Sequence, residues 1–203
     1  MKRSFSNRLH AIKYVTLSFI ICSLGLFNTA HSQTTYQTSG PAKIQILGTS
    51  NIHDWEMNTD KGNSTAVFIS DAHGALSGLS ALTFTLPVES LKSEHSGMDK
   101  NAYKAMHSDK FAQLSFTVLS ASIKPAGSTY QVYSKGRLTI SGVTKDVDVT
   151  GICIVNADKS ITLNGSYKLK MTSYNVTPPS IMLGAIKTGD DITVKFNLLY
   201  KAK

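Results

Sequence analysis

Ile161-Thr162-Leu163-Asn164-Gly165-Ser166-Tyr167-Lys168-Leu169-Lys170-Met171 decides the fold. Ile161, Leu163, Tyr167, Leu169 and Met171 share one parity, opposite Thr162, Asn164, Ser166, Lys168 and Lys170. Side chains of a β-strand alternate between its two faces, so this is a strand with one apolar and one wet face. The same period recurs on both sides. Leu82, Phe84, Leu86 and Val88 alternate with Ala81, Thr83, Thr85 and Pro87; Leu114, Phe116 and Val118 alternate with Gln113, Ser115 and Thr117. Tyr130, Val132, Leu138 and Ile140 share a parity, as do Val143, Val147, Val149, Cys153 and Val155, and Ile192, Val194, Phe196, Leu198 and Tyr200. Lys43 to Thr49 and Thr65 to Ser70 are less regular strand candidates, and Gln33 to Pro41 reads as a tether or frayed first strand. Turn-rich breaks such as Lys124-Pro125-Ala126-Gly127-Ser128 separate the strands.

Strands wet on one face belong to antiparallel sheets. About eight of them in sequence, without helical crossovers, predict an all-β chain: an antiparallel eight-stranded barrel, whose closure removes exposed edges. One short α-helix interrupts the series. Ser96 reads as its cap and Asp99 as the partner in a capping box, with Met98, Ala102, Ala105 and Met106 near one face. Its apolar stripe has to be buried, and covering an open end of the barrel does so.

The N-terminus has a different character. Lys2, Arg3, Arg8 and Lys13 precede an apolar run from Tyr14 to Phe27, and Ala30-His31-Ser32 supplies small residues at the cleavage positions. This is the layout of a secretory signal peptide over residues 1–32, placing the mature start at Gln33 and the mature domain at 33–203, periplasmic or secreted. The run is shorter than the ~20 residues of a membrane-spanning helix. The bulky Ile21 before Cys22 does not fit lipid modification. Taking those four basic residues from the formal charge of +8 leaves +4, with no clustered Lys/Arg, which removes the support for a nucleic-acid partner. No other apolar run is long enough for stable membrane insertion. Cys153 is then the only cysteine, so no internal disulfide forms. Edge strands and Cys153 leave a homodimer open.

Within the inward parities, Ser134, Gly136, Gly151 and Gly165 remove side-chain volume from neighbouring strands. Glycines also relieve bending where strands coil. Together they predict an underfilled interior, in a size class where side chains otherwise just fill the barrel. Micromolar affinity needs about 8 kcal/mol, and association costs several kcal/mol more. At roughly 0.8 kcal/mol per buried methylene, about twenty carbons are required, which suits a long lipid and not a sugar.

Catalytic parts are missing: there is no Gly-x-Ser-x-Gly elbow, His-Glu-x-x-His or phosphate loop, so the chain reads as a non-enzyme without a cofactor. His53-Asp54-Trp55 is the most reactive-looking cluster, but neighbours on a strand face opposite ways and no second ligand pair at zinc spacing appears. Gly189-Asp190-Asp191 reads as a strand-entry turn. His73, His95 and His107 read as surface or loop residues, and Lys145 and Lys187 as rim charges or contacts to an anionic head. The residues expected to line the cavity and bind the ligand are Trp55, Phe84, Leu86, Tyr103, Met106, Phe116, Leu138, Ile140, Leu169, Met171 and Phe196. Methionines would give an adaptable wall. The competing reading is an envelope structural or interaction module with a filled barrel.

Several blocks resemble the YceI-like family. They are Gly48-Thr49-Ser50-Asn51-Ile52-His53-Asp54-Trp55, Leu86-Pro87-Val88-Glu89-Ser90-Leu91-Lys92-Ser93, Met98 to Met106, and Phe111 to Phe116. Gly136-Arg137-Leu138-Thr139-Ile140-Ser141-Gly142-Val143-Thr144-Lys145 is the most specific, followed by Met171-Thr172, Pro178-Pro179 and Gly184 to Asp190. Ala112-Gln113 stands where that family usually has proline, and Ala102 replaces a bulkier helix residue. The resemblance implies an exported lipocalin-like barrel that binds a polyisoprenoid lipid, with an isoprenoid or quinone as the bound molecule.

Overall fold

The computed structural model describes residues 32–203; the signal-peptide reading of residues 1–32 falls almost wholly outside them. The strands are β1 (Ser32–Thr38), β2 (Lys43–Ser50), β3 (Trp55–Thr59), β4 (Asn63–Ser70) and β5 (Leu76–Pro87). After helix α1 (Ser96–Ala105) come β6 (Gln113–Ala126), β7 (Thr129–Ile140), β8 (Val143–Val155), β9 (Ile161–Lys170), the two-residue β10 (Ser180–Ile181) and β11 (Ile186–Ala202).

Eight of these form a closed antiparallel ring in the order β1-β4-β5-β6-β7-β8-β9-β11, with β1 pairing back onto β11. The expected architecture is therefore present, with one exchange of seats. The stretch read as a tether or frayed first strand is β1, paired with β4 from Ser32–Ser70 to Gln37–Thr65, and it occupies a place in the ring. The expected strand Lys43 to Thr49 lies beside it as β2. At 17 residues, β11 is long enough for both: one edge pairs with β9, the other with β2 and then β1. Beyond the ring, β2 carries β3, and β3 is tied to the 88–95 loop by reciprocal Asn58–Lys92 backbone bonds of 2.7 and 2.9 Å. The polar sequence of β1 conceals it because its pairing is made by backbone.

Two irregularities hide further register from the sequence. A bulge at Leu119 shifts β6 between Val118 and Ser120, so the inward side passes from Leu114, Phe116 and Val118 to Ala121 and Ile123. Bulges in β5 against β4 space the inward residues Leu76, Leu79 and Leu82 three apart. The floor of the barrel is filled: Tyr36 packs edge-on to Phe68, and Phe68 to Tyr200. The Tyr200 hydroxyl lies 2.7 Å from Ser64 Oγ, which donates at 2.7 Å to the Thr83 carbonyl, so this buried chain is satisfied. Cys153 is fully buried there and its thiol is pushed up to about 12 by that burial, which keeps it protonated and out of reach of a second chain.

The helix starts differently from the capping box expected at Ser96. His95 is the N-cap and gives no side-chain bond. Asp99 instead turns back to Ser93, accepting from its backbone N–H and its hydroxyl, both at 2.7 Å. Burial opposes ionisation of Asp99, but the two Ser93 bonds and nearby Lys92 outweigh it and hold the carboxyl below its ordinary 3.8. A depressed folded-state pKa stabilises the fold above that value and loses this contribution as the pH falls through it. Asp99→Ala should therefore cost about 1–3 kcal/mol near neutral pH, and its stability curve should lack the part of the acid loss that Asp99 gives the parent; denaturant titrations at a series of pH values measure both.

Candidate functional site

The inward residues of the ring, α1 and the β2–β3 hairpin enclose a cavity of about 540 Å³. An engineered cavity of ~150 Å³ already binds benzene, so the space is large for a dry interior. Its deep part is walled by Leu79, Val132, Leu163 and Leu198, and α1 covers the opposite end with Met98, Asn101, Ala102, Ala105 and Met106. No Lys, Arg, Asp or Glu lines it among the described residues. At the mouth, exposed Ile52, His53, His95 and Ile181 surround the opening. Met182 and Leu183 extend from the β10–β11 hairpin in left-handed conformations and are strongly exposed.

Of the residues expected from sequence, Trp55, Phe84, Leu86, Met106, Phe116, Leu138, Ile140, Leu169, Met171 and Phe196 line this cavity together. Tyr103 does not, which corrects its place in the set. Its hydroxyl is turned to the 88–92 loop, 2.6 Å from the Leu91 carbonyl and 2.7 Å from Lys92 Nζ, where it fastens the helix to the barrel. A helix stripe cannot show which of its aromatic edges finds such a polar partner.

The inward glycines do not act by leaving vacancies. A Cβ on Gly136 would collide with the Phe116 ring, one on Gly165 with Phe196, one on Gly48 with Trp55 and one on Gly62 with Phe84. Each ring lies across neighbouring backbone, of a strand at Gly136, Gly165 and Gly48 and of the β3–β4 link at Gly62, and occupies the room the glycine gives up. Trp55 is further pinned by its indole N–H, which donates to the Thr49 carbonyl at 2.9 Å. The rings thus lie along the wall, and the lumen stays open between them. Gly151 serves differently, since a Cβ there would press on the Asn164 carbonyl opposite.

Residues the sequence reading passed over complete the site. Ile44, Ile46 and Met57 come from the β2–β3 hairpin, and Tyr174, Val176 and Pro179 from the irregular segment after β9. Tyr167 has inward parity in β9 and was legible; Tyr174 ends a 3₁₀ turn, Met171–Tyr174, that has no strand period. Asp190 fixes this turn, accepting from the Thr172 N–H at 2.8 Å and from its hydroxyl at 2.7 Å. The backbone bond and then the hydroxyl lower the Asp190 pKa. Asp191 points to Lys170 at 2.9 Å. The two carboxylates are structural ties. His53 Nδ1 donates to the neighbouring Asp54 carbonyl at 2.7 Å, and no group of three or more His, Cys, Asp or Glu side chains is placed to hold a metal among the described residues. Neither Lys145 nor Lys187 lines the cavity, whereas His95, read as a surface residue, does so at the mouth.

The family model of the YceI-like domain matches residues 26–200, and the chain belongs to that family. Burkholderia cenocepacia BcnA superposes with a TM-score of 0.62 at 21% identity, over 78% of this chain and 95% of that one. A polyisoprenoid binding domain from Saccharophagus degradans, implicated in plant cell wall breakdown, gives a TM-score of 0.62 at 11% identity, over 84% and 99%. The Campylobacter jejuni YCEI protein gives 0.52 at 20% identity, over 70% and 84%. At these identities the likeness shows a common fold. Among curated proteins none matches this chain significantly.

Gly165→Ala should force the Phe196 ring off the wall and into the lumen, costing about 1–3 kcal/mol by overpacking and reducing the length of chain the cavity accepts. Titration of the variant with lipids of increasing length should show the longest losing affinity first.

Proposed function

We propose that this YceI-like domain is a non-catalytic binding protein that holds a long-chain isoprenoid or similar lipid in its barrel, as an exported carrier or store in the periplasm or outside the cell. The observation that carries the reading is the continuous cavity, largely apolar along its walls and open at a mouth rimmed by exposed Ile52, His53, His95 and Ile181. An interior of this kind, left to water, forfeits both dispersion contacts and hydration. A branched hydrocarbon chain of about twenty carbons restores the contacts and supplies the roughly 0.8 kcal/mol per methylene that affinity requires. The Saccharophagus domain of the same fold is described as polyisoprenoid binding, which supports the choice of chain. The filled-barrel module loses ground to the same cavity. Export rests on the basic, apolar and small-residue order of residues 1–32.

Organic extraction of the natively purified protein, followed by mass spectrometry, tests the reading. The expected result is a long-chain isoprenoid or similar lipid at about one molecule per chain. A protein that yields no lipid, and that shows no saturable uptake of one afterwards, contradicts it.

A further inference from the structure

The most exposed large apolar side chains among the described residues stand at the mouth of the cavity. Leu183 is 109% exposed and Met182 72%. They form the tip of the β10–β11 hairpin, whose strands pair Ser180 with Lys187 and Ile181 with Ile186. Both tip residues are left-handed, Met182 at φ 53° and Leu183 at φ 55°, and Gly184 follows at φ 92°. That conformation costs free energy in any residue that carries a Cβ. At full exposure Leu183 returns no burial to the fold in exchange. The chain from Val176 to Ile186 contains no charged residue.

The hairpin is fastened to the turn between β2 and β3 by one side chain. Asn51 Nδ2 donates to the Ala185 carbonyl at 2.8 Å, and Asn51 Oδ1 accepts from the Lys187 N–H at 2.8 Å. The Asn51 N–H also donates to the Lys187 carbonyl at 3.1 Å. Ile52, next in the chain, is exposed and lines the cavity, as does Ile181 at the root of the hairpin tip. Apolar surface is therefore continuous from the lumen, across Ile52 and Ile181, to Met182 and Leu183. Exposed apolar surface joined to a binding cavity marks an interaction site.

We infer that this rim docks on the surface of a phospholipid bilayer, with Leu183 and Met182 inserted among the lipids, so that the cavity fills and empties while its mouth faces the membrane. The inference rests on the lipid-binding reading above. A long-chain lipid resides in membranes and not in water, so its route into the lumen starts at a bilayer. The shape of the patch favours the same occupant. A stable protein interface takes roughly 800 Å² from each partner, which four side chains around a projecting tip do not supply. A bilayer accepts a small convex apolar insert and pays back its buried area. Charge does not drive the docking: the two joined loops carry one exposed acid, Asp54, and one exposed base, Lys187, besides His53. The Lys187 stem lies against Gly184 at the base of the tip, where its ammonium can reach the head groups.

Flotation of the natively purified protein with phosphatidylcholine vesicles tests the docking, in the wild type and in Leu183→Asp and Leu183→Phe. The wild type is expected to float with the vesicles. Leu183→Asp should weaken that binding about 10- to 100-fold, Leu183→Phe should keep it, and neither thermal melt should fall because the side chain is outside the core. Uptake of retinol supplies the second readout. Leu183→Asp should slow uptake from retinol-loaded vesicles in the same proportion, and leave the affinity for retinol added from ethanol within twofold of the wild type. Three results overturn the docking: no flotation of the wild type, equal flotation of wild type and Leu183→Asp, or a wild type that is dimeric by light scattering where Leu183→Asp is monomeric. Equal loss of retinol affinity by both routes also overturns it, since Leu183 then serves the cavity itself. All of these leave the lipid-binding reading in place. A wild type that floats but takes up no retinol by either route supports the docking and counts against the lipid-binding reading alone.

Discussion

Closure of the ring rests on three residue pairs, Tyr36–Ala202, Gln37–Lys201 and Thr38–Tyr200, that join the first described strand to the last. A barrel has no edge only if its terminal strands meet. Here β11 makes this possible by serving β2 along its first part and β1 along its last, while Gly40 in a left-handed conformation allows the chain to step from one to the other. Below the step the ring is complete and its floor is packed with Phe68, Tyr36, Tyr200 and Cys153. Above it the β2–β3 hairpin and α1 take over as wall and lid. The division between a solid base and a hollow upper barrel follows from where the seam changes strands.

Within that frame, the cavity depends on aromatic rings lying against backbone. Phe116, Phe196, Phe84 and Trp55 are large enough to fill the lumen if they pointed across it. The glycines at 136, 165, 62 and 48 provide flat backbone for them to lie along. The fold gives up the contacts a central aromatic cluster would have made and keeps space whose apolar wall can be covered only by another apolar body. Ligand capacity and structural stability are therefore in competition at these positions, and a substitution that fills space is expected to favour the second over the first.

Much of this was legible in the sequence, in proportion to how regular each element is. Where a strand is wet outside and apolar inside, as in Ile161 to Met171 or Ile192 to Tyr200, alternation gave both the strand and the inward residues. It failed where period 2 is broken or where backbone alone decides. The β5 and β6 bulges move the inward parity, β1 is polar throughout most of its length, and Tyr174 lies in a 3₁₀ turn. The inward glycines were visible, but their meaning was not, because a cross-strand ring filling the place of an absent side chain depends on register. Tyr103 misled for a related reason: its ring has helical spacing with the cavity residues, yet its hydroxyl is satisfied only by the 88–92 loop.

Trp55 is the only tryptophan of the chain and lies on the cavity wall, which makes it a reporter of what enters. Retinol, a neutral C20 isoprenoid alcohol whose polyene absorbs tryptophan emission, is the matching acceptor. Titrating retinol while exciting Trp55 should give energy transfer that saturates at one molecule per chain and is reversed by excess geranylgeraniol. Transfer that rises without saturation, or none at all, would contradict a lumen that takes in a single long apolar chain.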